Sequence, residues 1–133
     1  MTTPEVVTTA TTRLWLDDEG ILHADALASS DESLTSARAN VVALARLGNG
    51  VRRPLLVDIG KRRSQSRDAR NYYAGPEVAR IVCAVALLVG NPLSRMLGNV
   101  FLGLTKPLVP TRLVEDRETG LVWLRGYLPQ ERS

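Results

Sequence analysis

Residues 55–75 constrain the fold of this chain most, because they place a buried strand, a loop and the start of a helix in immediate succession. The strand is LLVDI, a short apolar run between Pro54 and Gly60, and such runs are typical of strands covered on both faces. The loop is KRRSQS, after which Ser66 and Asp68 suit the first turn of a helix. This succession predicts an α/β fold whose binding site lies past the carboxyl end of the central strand.

The remaining sequence predicts further strands and helices on both sides of this unit. Strands are predicted over residues 13–16, 21–27, 84–89 and 111–114, and the turn DDEG joins the first two as a hairpin. Helices are predicted over residues 33–47, 91–104 and 119–128. Together these segments predict a mixed sheet of about five strands with about four helices and an N-terminal antiparallel hairpin.

The 133 residues are 44% hydrophobic and 23% charged, which suits one soluble domain with a sizeable core. We expect that domain to span residues 12–129, with a flexible Thr-rich arm over residues 1–11 and a tail over 130–133. The first residues lack the basic start and apolar core of a signal peptide, and the longest apolar run is too short to span a bilayer. With a single cysteine, Cys83, these features predict a cytoplasmic location.

Basic residues gather around the central strand, although the net charge of the chain is only +3. Such a cluster attracts phosphate or an acidic partner, or else forms a solvated rim. Nucleic acid is not an expected partner, because no aromatic platform for base stacking accompanies the cluster. The residues of this predicted anion- or partner-binding loop are Asp58, Lys61, Arg62, Arg63, Arg67 and Arg70.

Familiar catalytic and metal-binding patterns are missing from the sequence. One histidine and one cysteine do not supply the usual ligands of a zinc site. The GxSxG and phosphate-binding loop patterns are absent, and His23 lies in the hairpin, apart from any candidate serine nucleophile. We therefore expect no catalytic residue, no metal and no cofactor, and we do not expect an enzyme.

An apolar stripe at helical spacing follows Asn91 and Pro92, and it consists of Leu93, Met96, Leu97, Val100, Phe101 and Leu104. Stripes of this kind usually pack against the core. The alternative is that part of the stripe, Met96, Val100 and Phe101, lines an apolar pocket.

The order of the elements, with LLVDIG feeding a serine-bearing loop and helix, resembles the STAS domains, whose type member is a sporulation anti-anti-sigma factor. The ending VPTRLVED followed by LVWLRGYL is also similar to the last strand and helix of that family. More closely, RLWLDDEGILH, PLLVDIG, ARNYYAGPEVARIV and NPLSRMLGNVFLGL are similar to a family of small actinobacterial proteins in the group shared by STAS and CRAL-TRIO domains. This resemblance covers residues 13–126 and implies a SpoIIAA-like fold, with the function of the family not established.

The resemblance also implies two functions. In anti-anti-sigma members an Asp-Ser pair opens the second helix, and a partner kinase phosphorylates the serine. Here Ser66 and Arg67 fall at that place, so the pair is not intact, and a phosphoryl switch would have to use Ser64 or Ser66. The first implied function is a non-enzymatic regulatory module that binds an unidentified protein partner, with a homodimer left open. The alternative is a carrier of a lipid or a small apolar ligand of the CRAL-TRIO type.

Overall fold

Eight strands and five helices follow one another in the computed structural model, which describes residues 5–129. The strands are β1 (Val6–Thr8), β2 (Thr12–Leu16), β3 (Leu22–Ala26), β4 (Ser30–Glu32), β5 (Arg53–Asp58), β6 (Arg62–Gln65), β7 (Val82–Leu88) and β8 (Thr111–Val114). The helices are α1 (Leu34–Gly48), α2 (Arg67–Tyr73), the single turn α3 (Pro76–Ala79), α4 (Pro92–Thr105) and α5 (Arg117–Arg125). None of these helices is long and apolar enough to cross a membrane.

Six of the strands form one mixed sheet in the order β1-β2-β3-β5-β7-β8, and β4 pairs with β6 in a small second sheet. Strands β1, β2 and β3 are antiparallel neighbours, whereas β3, β5, β7 and β8 run parallel. The predicted α/β fold and its antiparallel hairpin are confirmed.

The direction of the chain explains why the helices lie unequally on the two faces of the sheet. Each connection from β3 to β5, β7 and β8 steps the same way along the sheet, and crossovers of this kind are right-handed. Helices α1 to α4 therefore cover one face, where Leu55, Val85 and Phe101 belong to one core cluster. Helix α5 covers the opposite face, where Leu56, Ala86 and Leu124 belong to a second cluster.

Side-chain caps set the starts of the three helices that cross over between strands. Ser33 caps α1, Ser66 caps α2 and Asn91 caps α4, each by accepting a hydrogen bond from a backbone amide three residues later. Asn49 ends α1 in the left-handed conformation. Because β5 and β7 run parallel, the segments that follow these two strands lie at the same edge of the sheet.

Part of the predicted N-terminal arm is a strand. Residues 6–8 form β1 and pair with β2, so that Val7 lies opposite Leu14 and packs on the core. The β-branched pair Val6 and Val7 favours this conformation. Residues 1–4 and the predicted tail over 130–133 lie outside the described residues.

Most of the basic stretch KRRSQS is a strand and not a loop. Its residues 62–65 form β6, which pairs in parallel with β4. The pairing joins the buried side chains of Arg62 and Glu32, one from each strand. The pairing of β4 with β6 could not be predicted from the sequence, because neither strand has the apolar residues that mark a strand.

Helix α4 presents a different face to the core from the predicted stripe. Ser94, Gly98 and Phe101 are buried, whereas Leu93 and Met96 are 43% and 53% exposed. Gly98 explains the rotation, because a Cβ atom there would lie 2.9 Å from Leu113 Cδ2. The helix packs through its glycine, and part of its apolar stripe therefore faces outward.

Candidate functional site

The predicted anion- or partner-binding loop divides into one buried residue and several outward ones. Arg62 is 5% exposed and lies in the interior, so its assignment to a binding surface is wrong. Lys61, Arg63 and Arg67 are exposed, and Arg70 is half-buried. The cause is β6, whose alternating side chains turn Arg62 inward and Arg63 outward.

Arg62 belongs to a group that we call the buried polar cluster, made of Thr12, Glu32, Asn40, Arg62 and Tyr73. Arg62 Nη2 lies 2.9 Å from Glu32 Oε2. Tyr73 Oη donates to the same oxygen at 3.0 Å and accepts from Asn40 Nδ2 at 2.9 Å. Asn40 Nδ2 also lies 3.0 Å from Thr12 Oγ1. The cluster thus joins β2, β4, α1, β6 and α2 through side chains that bond to one another.

Electrostatics keep the Tyr73 hydroxyl protonated within this cluster. Burial raises the pKa of Tyr73 well above its usual value, and the charge of Glu32 raises it further. A protonated hydroxyl can donate to the Glu32 carboxylate, as the geometry requires. Sequence reasoning missed this cluster, although one signal was present: Asn40 is a polar residue between Ala37 and Val41 on the inward face of α1.

A partly open cavity of about 90 Å³ adjoins the cluster. The polar side chains stand at its wall, and most of the rest of the lining is apolar, including Leu55, Leu87, Leu97 and Phe101. The cavity therefore lies between the sheet and the layer of helices α1 to α4, in the larger of the two cores.

The two candidate phosphorylation sites differ in their surroundings. Ser64 is exposed and donates to Asp31 Oδ1 at 2.6 Å. Hydrogen bonds from Arg63 and then Ser64 hold the pKa of Asp31 well below its usual range, so a phosphoryl group on Ser64 would meet a carboxylate. Ser66 is exposed and accepts from Ala69 N at 3.1 Å as the cap of α2. Phosphorylation at Ser64 or Ser66 stays a prediction.

Asp58 takes part in a separate polar group at the carboxyl ends of β3 and β5. Its Oδ1 accepts from Gly60 N at 2.8 Å, and its Oδ2 lies 3.7 Å from Arg117. Arg117 also donates to Asp25 Oδ1 and His23 Nδ1, both at 2.8 Å. Because an arginine only donates, His23 Nδ1 carries the lone pair, and Nε2 bears the hydrogen facing Asp17. This group anchors the start of α5 to the sheet.

The predicted apolar pocket does not form. Phe101 lines the interior cavity, whereas Met96 and Val100 line an open groove on the outer side of α4. The prediction is wrong because Val100 and Phe101 are consecutive residues of a helix and point in directions about 100° apart, and the packing of Gly98 turns the Phe101 side toward the core. In the described part of the chain, no group of three His, Cys, Asp or Glu residues lies close enough to hold a metal ion.

Comparisons with known proteins agree with this fold. The family profile of a domain of unknown function, DUF7793, matches residues 14–128. A similar solved structure is an uncharacterized protein from the DUF3478 family with a SpoIIAA-like fold, from Shewanella loihica PV-4. It is 16% identical over 92% of both chains, with a TM-score of 0.55, and confirms the predicted SpoIIAA-like fold.

A second solved structure is a protein with unknown function from Arthrobacter sp. FB24. It is 25% identical over 84% of this chain and 96% of that one, with a TM-score of 0.33. A comparison with curated proteins gives no match.

Proposed function

The chain belongs to the family of the domain of unknown function DUF7793, and we propose that it is a non-enzymatic regulatory module that binds a helix of a partner protein. The observation that carries the proposal is the outer side of α4. Leu93, Met96 and Leu104 are 43%, 53% and 70% exposed along that side, with half-buried Val100 between them. These four residues are the docking row.

The docking row is unusual for a surface helix because the inner side of α4 is also apolar. A helix of a globular protein typically carries one apolar stripe and a polar opposite face. Here the inward residues Leu97 and Phe101 pack below, while the docking row forms a second apolar surface above. Contiguous exposed apolar surface marks interaction sites. A second helix laid along α4 would bury the row by its own apolar face.

Charges near the row indicate the chemistry of the partner. Helix α4 lies next to β6 and α2, where Lys61 and Arg67 are exposed and form no ion pair within residues 5–129. Arg63 is exposed as well, although it is paired with Asp31. A partner helix with apolar residues at helical spacing and carboxylates along its edge would complement both features. Binding should therefore weaken as salt concentration rises.

Two observations support a non-enzymatic role. In the buried polar cluster, the carboxylate of Glu32 is bonded to both the guanidinium of Arg62 and the hydroxyl of Tyr73. The side chains most suited to acid–base catalysis are therefore already bonded to one another. Asp58, the carboxylate at the end of the central strand, is bonded to the amide of Gly60 and holds the loop. These contacts suit a structural role.

The experiment replaces Met96, and in a separate variant Val122, by the photo-crosslinking residue p-benzoylphenylalanine in cells of the source organism. Val122 is the matched control, because it is an apolar residue 59% exposed on α5, on the opposite face of the sheet. We expect one protein to be captured from position 96 and not from position 122. Capture of the same protein from both positions, or of none from position 96, would contradict the proposal.

The captured protein is then purified and its affinity measured for the variants Leu104→Asp and Val122→Asp. A charge placed in a desolvated apolar contact should weaken binding at least about tenfold, whereas the same change on α5 should leave it unaltered. Equal affinity for both variants, or capture of only a second copy of this chain, would overturn the assignment of the row to a partner protein.

A further inference from the structure

The partly open cavity beneath α4 is larger than ordinary packing leaves. Its volume is about 90 Å³, whereas a site for one buried water needs only about 10–15 Å³ on the same kind of measure. Protein interiors contain few voids larger than a single water. A cavity of this size is therefore explained either by a molecule that binds in it or by residues that prevent the core from packing more closely.

The buried polar cluster supplies a reason why the core stays open. Glu32, Asn40 and Arg62 are each at least 95% buried, and their bonds to one another fix them at the cavity wall. Replacing such an ion pair by apolar residues is often neutral or stabilising, so the pair is weak evidence of a purely structural role. A wall that holds fixed polar groups beside apolar space is typical of small-molecule sites.

Gln65 adds a free hydrogen-bonding group to the same wall. Its side chain lines the cavity, is half-buried, and makes no hydrogen bond to any residue in the range 5–129. The amide offers both a donor and an acceptor to whatever enters. It is thus the group on the wall that is available to recognise a ligand.

We propose that this cavity binds a small neutral molecule that has a short apolar body and one hydrogen-bonding group. Glu32 and Arg62 already balance each other's charge, so a charged ligand would bring an uncompensated charge into the interior. An engineered cavity of about 150 Å³ holds the six carbons of benzene, so this partly open cavity of about 90 Å³ encloses about four non-hydrogen atoms of a ligand. The site is independent of the docking row and goes beyond the proposed function.

The test titrates the full chain with propionamide and propionate, which have the same shape and differ in charge. Backbone amide NMR shifts are followed at Leu55 and Leu87, which line the cavity from the sheet. We expect saturable shifts with propionamide and none with propionate. Absence of saturable shifts with propionamide, or equal response to both compounds, would overturn the proposal.

Two variants in which an alanine is replaced by leucine test whether the cavity exists. Ala24 lines the cavity, whereas Ala86 lies in the other core, 3.5 Å from the position that a Cβ atom would take at Gly120. Ala24→Leu should fill the cavity, abolish the propionamide shifts and keep the Tm, whereas Ala86→Leu should lower the Tm by overpacking. If Ala24→Leu lowers the Tm as much as Ala86→Leu, the cavity does not exist as described.

A third variant keeps the cavity and removes the free amide. Gln65→Leu should keep the Tm and weaken propionamide binding at least about fivefold, because the ligand loses its hydrogen-bonding partner. Unchanged propionamide binding in this variant would show that Gln65 does not contact the ligand and would contradict its role in recognition.

Discussion

Arg62 and Arg63 are neighbours in β6 with opposite surroundings, because successive side chains of a strand point to opposite faces. Arg62 is paired with Glu32 in the interior, and its Nη1 also donates to Ser30 Oγ at 2.8 Å. Arg63 is paired with Asp31 at the surface. The side chains of the inner pair are 5% and 1% exposed, whereas those of the outer pair are 64% and 49% exposed, so solvent readily replaces a lost partner in the outer pair. The two arginines should therefore differ greatly in their contribution to stability.

Arg62→Met should lower the free energy of unfolding by about 3–5 kcal/mol, because it leaves the carboxylate of Glu32 unpaired in the interior. Arg63→Met is the matched control and should leave that free energy nearly unchanged, since its partner is solvated. Urea unfolding of both variants measures the difference. The double variant Arg62→Met with Glu32→Gln should recover part of the loss, and equal losses for the two single variants would contradict the buried pair.

The sequence predicts that all the arginines of residues 61–70 lie on one surface, because a charged side chain is by itself expected to be exposed. The side chain that buries Arg62 is Glu32, which lies thirty positions earlier in the chain and in a strand without apolar residues. Period-two alternation is visible only where one set of side chains is apolar. Asp58 follows an apolar strand and lies at the carboxyl ends of β3 and β5, where its carboxylate accepts a hydrogen bond from the amide of Gly60.

At the scale of elements, α4 shows how one residue orients a helix. Gly98 lies against Val89 and Leu113, and a Cβ atom there would be 3.1 Å and 2.9 Å from their side chains. Gly103, five positions later on the same helix, has no atom within 4 Å of its Cβ position. The first glycine allows close packing on the sheet, and the second has no such role.

The two glycines should respond in opposite ways to the same change. Gly103→Ala should raise the free energy of unfolding by up to about 1 kcal/mol, because alanine favours the helix. Gly98→Ala should lower it by about 1–3 kcal/mol, because α4 must move away from β7 and β8. Thermal or urea unfolding of each variant checks the signs. Stabilisation by both substitutions would show that the helix does not pack through Gly98.

The bounds of α4 were predictable from the sequence, but its orientation was not. The cap at Asn91 and the helical spacing gave the start and length of the helix. Apolar residues cover more than half of its circumference, so periodicity could not choose which of them face the core. Because the pattern of apolar positions is ambiguous in this way, only the close approach at Gly98 decides the orientation.

At the scale of the whole molecule, the covering of the sheet is unequal. Three crossovers step in one direction and place α1 to α4 on one face, so the other face depends on the helix after the last strand. The order of the elements along the chain was predictable, since each βα unit has its own pattern. That α5 returns across the opposite face depends on Leu121 and Leu124 meeting Leu56 and Ala86, contacts that local patterns do not contain.

Removing either end of the chain should therefore have very different effects. A chain shortened after Glu115 loses α5 and exposes Ile21, Leu56 and Leu88. Each such side chain contributes about 1.5–3 kcal/mol when buried, and the total stability of a domain is about 5–15 kcal/mol, so this chain should not fold cooperatively. Among the described residues, a chain lacking residues 1–8 loses the edge strand β1 with its pairing to β2, the core contact of Val7 and the ion pair of Glu5 with Arg46, and it should fold with reduced stability.

Circular dichroism and size-exclusion chromatography of the two shortened chains check this prediction. The chain without α5 should lose near-ultraviolet signal and aggregate, because an uncovered sheet face is a large apolar surface. The chain without β1 should remain monodisperse and unfold in one urea transition. Cooperative unfolding of the chain that ends at Glu115 would show that the second face needs no helix, and would place the core of the molecule on the α1 to α4 side alone.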